Sequence, residues 1–189
     1  MKKRVLAAVG VAVVAVGAGV STAVASNDAH ASLRIGQVRL VDPAGGSLGT
    51  VQLVELGGRL HVIGKVRGLA AGFHGFHIHE KGECIGSSTP PFASAGGHLS
   101  TTSDSHPGHA GDMPVLLVGR DGSAQASFTT DRLTLADVFD PDGSAIIVHA
   151  NADNYANIPT RYAPGGPDGD TLKTGDSGGR VACGVVTRR

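Results

Sequence analysis

Apolar residues between positions 33 and 149 come in short runs, each closed by a turn rich in glycine, proline or aspartate. That rhythm leaves no room for long amphipathic helices and asks for many short strands. Much of the glycine, 29 residues in all, falls at these turns. Residues 33–41 read as a first strand, 43–47 as a loop and 50–56 as a second strand. Gly57-Gly58 makes a tight hairpin into a third, 60–69. In that strand Leu60, Val62 and Val66 share one face, while His61, Lys65 and Arg67 share the other. Such alternation predicts a sheet with one dry and one wet side. Further strands are predicted at 75–79, 115–118, 124–129 and 145–149, with turn chemistry at 120–122 and 140–143. Residues 133–139 read equally as a helical turn or a short strand. The expected fold is all-β, a Greek-key β-sandwich or barrel of about eight antiparallel strands. Two stretches, 82–112 and 150–179, are too rich in Gly, Ser, Pro, Asn and Asp to be strands, and loops this long usually carry function.

The first residues have the layout of a secretory signal peptide. Lys2, Lys3 and Arg4 precede 16 apolar or small residues, 5–20, and an A-x-A site ends at Ala25. The run is short of the ~20 residues a spanning helix needs. The expected division is a signal peptide at 1–25, a flexible lead at 26–32 in which His30 is a solvated bystander, and one domain at 33–189. Removing the leader leaves 13 basic against 16 acidic residues. No basic run or aromatic stripe suggests nucleic acid, and nothing suggests a stable membrane partner. The expected location is outside the cytoplasm: extracellular, periplasmic or in the cell envelope. Cys84 and Cys183 are the chain's two cysteines, and an even count in an exported chain favours a disulfide over two buried thiols.

Histidines carry the chemistry. His77 and His79 are two apart, so on a strand both imidazoles face one side. His149 ends the apolar strand Ala145-Ile146-Ile147-Val148, and three histidines converging from two strands suit copper or zinc. His98 follows Gly96-Gly97, where glycine lets the backbone approach a crowded centre. His106, His109 and Asp112 come next, and with His98 they make a His3Asp set suited to tetrahedral zinc. A solvated polar loop is the competing reading of that stretch.

The segments His74-Gly75-Phe76-His77-Ile78-His79-Glu80, Gly96-Gly97-His98, His149 with Asp153, and Gly179-Arg180-Val181-Ala182-Cys183-Gly184-Val185 together resemble the signature blocks of copper–zinc superoxide dismutases. The resemblance spans residues 33–186. It implies copper held by His77, His79, His98 and His149, with His98 also bridging to zinc. His106, His109 and Asp112 would complete the zinc set. By the same resemblance Asp153 would tie the two halves together, Arg180 would guide superoxide anion, Cys84 and Cys183 would form the intrasubunit disulfide, and His74 would be structural. Catalytic roles fall to Arg180 and His98. One departure stands out: only Pro107 and Gly108 separate His106 from His109, where the family usually has a longer stretch. The implied activity is dismutation of superoxide to oxygen and hydrogen peroxide. A non-catalytic copper-binding or copper-delivery module on the same fold is the alternative. Oligomeric state is left open, a homodimer included.

Overall fold

The computed structural model describes residues 35–102 and 104–189. The expected signal peptide and lead-in, with Leu33, Arg34 and Ser103, lie outside the described residues. Among the described residues nine strands form: β1 (Ile35–Val41), β2 (Ser47–Leu56), β3 (Arg59–Val66), β4 (Gly72–His74), β5 (Phe76–His79), β6 (Leu116–Val118), β7 (Ala124–Thr130), β8 (Ala145–His149) and β9 (Arg180–Arg188). Seven of them pair in the order β5-β8-β9-β1-β2-β3-β7, while β4 pairs with β6. All pairings are antiparallel, and the large sheet curls into a half-barrel. The last strand lies in the middle of the sheet, between β1 and β8, as a Greek-key connection requires.

The curl follows from which residues face inward. Val38 and Leu40 of β1, Val51 and Leu53 of β2, and Leu60, Val62 and Val66 of β3 are all buried. They meet Phe76, Ile78, Ile146, Val148 and Ala182 in one core. Burying one such side chain stabilises the fold by about 1.5–3 kcal/mol.

Four details refine the sequence expectation. The strand predicted at 75–79 forms as β5 from Phe76: Gly75 gives its N–H to Asn151 O and separates it from β4, which was not predicted. Residues 133–139 resolve as a single helical turn, α1 (Leu135–Val138). A capping box starts it, in which Asp137 accepts from Thr134 N at 2.7 Å and Thr134 Oγ1 accepts from Asp137 N at 3.4 Å. The segment from Arg180 is a full strand, absent from the predicted set because small residues, Ala182, Cys183 and Gly184, occupy its middle. A second short helix, α2 (Thr171–Thr174), lies in the later loop. Among the described residues no helix is long and apolar enough to cross a membrane.

Candidate metal centre

β5 puts Phe76 and Ile78 into the core and His77 and His79 on the opposite face. His77 pairs with Ile147 and His79 with Ala145, so the alternation of β8 brings His149 to that same face. The free edge of β5 is covered by the first long loop. Leu99 N donates to Ile78 O and Ile78 N to Gly111 O, and bridges pair His79 with His98 and His77 with Asp112. An exposed edge strand is thereby closed, and the loop's histidines are set beside those of the strand.

Arg180 reaches the site through a β-bulge. Val148 pairs with Ala182, but His149 pairs with Arg180, skipping Val181. Val181 stays packed on the main core, and Arg180 takes the position beside His149. One extra residue has re-aimed a side chain, as bulges do.

Hydrogen bonds fix which nitrogen each ring offers. His79 Nδ1–H donates to Gly96 O at 3.0 Å and His149 Nδ1–H to Gly178 O at 3.0 Å, leaving the Nε2 lone pairs of both rings. His77 does the reverse: its Nε2–H donates to Asp153 Oδ2 at 2.7 Å, and its buried Nδ1 has no protein partner. His98 donates from Nδ1 to Asp112 Oδ1 at 2.7 Å, and its Nε2 is buried without a partner. The four free nitrogens lie within 4.8 Å of one another, those of His79 and His149 only 3.4 Å apart. Lone pairs crowded this way repel unless a cation sits among them. An all-imidazole donor set suits copper.

A second set adjoins the first. Nδ1 of His98 lies 2.7 Å from one Asp112 oxygen, and Nδ1 of His106 and of His109 each lie 3.1 Å from the other. The Nδ1 atoms of His106 and His109 are buried and make no hydrogen bond. Three nitrogens and one carboxylate oxygen are the donors of a tetrahedral zinc site. Mutual proximity within 4.8 Å gathers His77, not His109, with His98, His106 and Asp112. The one unpartnered nitrogen of His77, Nδ1, is already a donor of the first set, whereas His109 Nδ1 has no other role and lies 3.1 Å from Asp112, so His109 is the better fourth member. The short Pro107-Gly108 spacer does not prevent convergence.

Asp153 links the halves. Its Oδ2 accepts from His77 and its Oδ1 from His106 at 2.8 Å. Gly175, at φ +58°, lets the chain pass over this link: a Cβ there would stand 2.5 Å from His106 Nε2. Gly96, at φ +73°, plays a similar part at the other end, because a Cβ would stand 2.5 Å from Glu80 Oε1. His74 is structural as expected, holding Ala70 O and His149 O with its two ring nitrogens.

The electrostatics separate the two sets in the metal-free protein. Burial, with neighbouring cationic groups, lowers His98 to about 4 and His149 to about 3, and holds His79 well below its ordinary value. His106 moves oppositely. Burial pushes it down, but the carboxylates of Asp112 and Asp153 outweigh that and raise it to about 9. Burial pushes both carboxylates up, yet their histidine partners hold them far below the usual range.

The stability of the metal-free protein should therefore fall on both sides of neutrality. The His106 contribution is complete below pH 6.5 and is lost as pH rises from 6.5 towards 9. The contributions of neutral His98 and His149 are complete above pH 6.5 and are lost as pH falls from 6.5 towards 4 and 3. Melting temperature against pH, after chelation, checks both limbs.

Arg180 donates to Phe92 O at 2.6 Å and to Gly96 O at 2.5 Å, so one carbonyl serves both Arg180 and His79. The guanidinium lines a cavity of about 460 Å³ together with His79, His98, His149 and Lys173. The Cys84–Cys183 disulfide, closing 99 residues, ties this wall to the loop carrying Phe92 and Gly96. Phe92, Ala95, Ala145, Ile147 and Cys183 form a small apolar cluster beneath it. Sequence reasoning did not single out Gly175, Arg132 or Tyr155, all of which touch the second set or its loop; nothing local in sequence marks them.

Comparison with known proteins agrees with this geometry. The family model described as copper/zinc superoxide dismutase matches residues 47–186. The chain is 45% identical over 130 residues to a Cu-Zn superoxide dismutase of Mycolicibacterium paratuberculosis, covering 62% of this chain and 57% of that protein. It therefore spans little more than half the length of that relative. A Cu-Zn superoxide dismutase of Deinococcus radiodurans is 35% identical over 162 residues, covering 77% of this chain and 80% of the other. The structure of a Cu/Zn superoxide dismutase from Brucella abortus superposes with a TM-score of 0.62 at 30% identity, covering 81% of this chain and 99% of that one. The match over residues 47–186, on a β fold with two adjoining histidine sets, makes this chain a member of the copper/zinc superoxide dismutase family.

Proposed function

We propose that the chain is an exported superoxide dismutase. In this reading copper is held by His77, His79, His98 and His149, zinc by His98, His106, His109 and Asp112, and superoxide is received by Arg180. The observation that carries it is Arg180 lining the same cavity as His79, His98 and His149. Storage or delivery of a cation gains nothing from a fixed guanidinium at the mouth; recognition of a small anion does.

Copper, when bound, supplies the one-electron chemistry that oxidises one superoxide to oxygen and reduces a second, with two protons, to hydrogen peroxide, while zinc stays redox-inert. The chain's residues do the rest. Arg180, held by two carbonyls, attracts and orients each anion. His98 would handle the proton: its Nε2, buried without a protein partner, is the atom at which one would be held and passed to the reduced oxygen. Asp153 keeps His77 and His106 in fixed tautomers. The N-terminal leader pattern and the disulfide support export.

Arg180→Ala should lower turnover ~10-fold or more and flatten its dependence on salt, while metal content stays unchanged. Full turnover at low ionic strength in this variant would remove Arg180 from the mechanism. Proton counting tests the shared histidine. At pH 7 zinc uptake should release a proton from His106, and copper uptake should release one from His98 only when zinc is already bound. Calorimetry in buffers of different ionisation enthalpy measures both.

A further inference from the structure

We propose that Tyr155 and Arg132 are positioning residues for the zinc half, bracing from outside a ligand loop too short to brace itself. The proposal rests on reading His98, His106, His109 and Asp112 as the zinc set. Neither residue takes part in the chemistry described above.

Between His106 and His109 the chain has two residues in which to turn two imidazoles onto one point. Internal bonds close the turn: Gly108 N donates to Ser105 O at 2.7 Å, and His109 N to Asp112 Oδ2 at 3.0 Å. His109 O accepts from Asp112 N at 3.1 Å, which leaves Pro107 O to a partner from outside the turn. Arg132, from the segment between β7 and α1, donates to Pro107 O at 2.7 Å, with a longer contact of 3.5 Å to His109 O. One guanidinium nitrogen, Nη1, thus reaches the backbone on both sides of Gly108.

Tyr155 works on the other ligand. Its ring lies parallel to that of His106, 6° between planes and 6.4 Å between centroids. Its hydroxyl accepts from Val115 N at 2.9 Å, anchoring the ring to the segment leading into β6. Its backbone N–H donates at 2.7 Å to Asp153 Oδ1, the oxygen that also holds His106. Tyr155 does this at φ 56°, with Ala156 at φ 52°. Residues with side chains rarely occupy this left-handed region, and they persist there when the surroundings over-determine them. Both braces line one cavity of about 420 Å³ behind Asp112, on the zinc side.

The test measures zinc affinity of the full chain by competition with a chromophoric chelator, together with the absorption spectrum of cobalt(II) in the zinc set. Arg132→Ala and Tyr155→Ala are each expected to weaken zinc about 10–100-fold and to shift the cobalt bands, leaving copper affinity unchanged. Copper affinity in the same samples reports that the barrel is intact. Arg132→Lys and Tyr155→Phe should lose less, since the first keeps the charge and the second keeps the stacked ring. They carry the test if an alanine variant fails to fold. Zinc affinity and cobalt spectra unchanged in these variants, while Asp112→Ala loses zinc, would overturn the brace. Zinc retained by Asp112→Ala would instead overturn the assignment of the zinc set itself.

Discussion

Asp153→Ala is expected to weaken copper and zinc binding together, each by about 10–100-fold. The carboxylate accepts from His77 at 2.7 Å and from His106 at 2.8 Å. Without it, His77 has no partner to hold its proton at Nε2, and its ring is free to present the wrong nitrogen. His106 loses one of the two carboxylates that orient it. Asp153→Asn is the sharper variant. Its amide has one acceptor and two donors, so it can receive only one of the two N–H groups and must turn a donor towards the other. Chelator competition for each metal checks the expectation. A loss confined to one metal would mean that Asp153 does not couple the halves.

Removing the disulfide should cost the fold more than any single side chain. Cys84→Ser with Cys183→Ser releases a loop of 99 residues, and loop entropy puts the loss at about 4–5 kcal/mol. For a domain of this size that corresponds to a fall in melting temperature of roughly 10–20 °C. Function should suffer beyond stability. Phe92 O and Gly96 O hold Arg180, and the loop that carries them is tied by this bond to the strand that carries Arg180. Below the melting transition, the variant should show Arg180→Ala kinetics in part, with slower turnover and a weaker salt dependence. A melting temperature within a few degrees of the parent would contradict the expectation.

Strand parity made half of the site legible from sequence. His77 and His79 had to share a face because they are two apart, and His149 followed from its place at the end of an apolar run. The positions of β1, β2, β3 and β7 were readable from their apolar runs and flanking turns, and β8 from its unbroken apolar run. Arg180 was different. Counting back from Cys183 on an ideal strand puts Val181 on the metal face and Arg180 in the core; the bulge reverses this, and no residue type announces it. The resemblance of residues 179–185 to a family block supplied what parity could not. In 82–112 the ligand types were visible, but whether His106 and His109 could converge was not. That depends on Arg132, Tyr155 and Gly175, at distances along the chain that no local pattern reports. β9 escaped notice because the small residues Ala182, Cys183 and Gly184 in its middle break up the β-branched run that made β8 readable.

Metal content and superoxide turnover, measured on the same sample of full chain loaded with copper and zinc, test the central claim most directly. One copper and one zinc per chain are expected, with turnover that falls as salt is added and is lost in His98→Ala. Copper bound in full with no superoxide turnover would contradict it, and would make the chain a copper carrier on a dismutase fold.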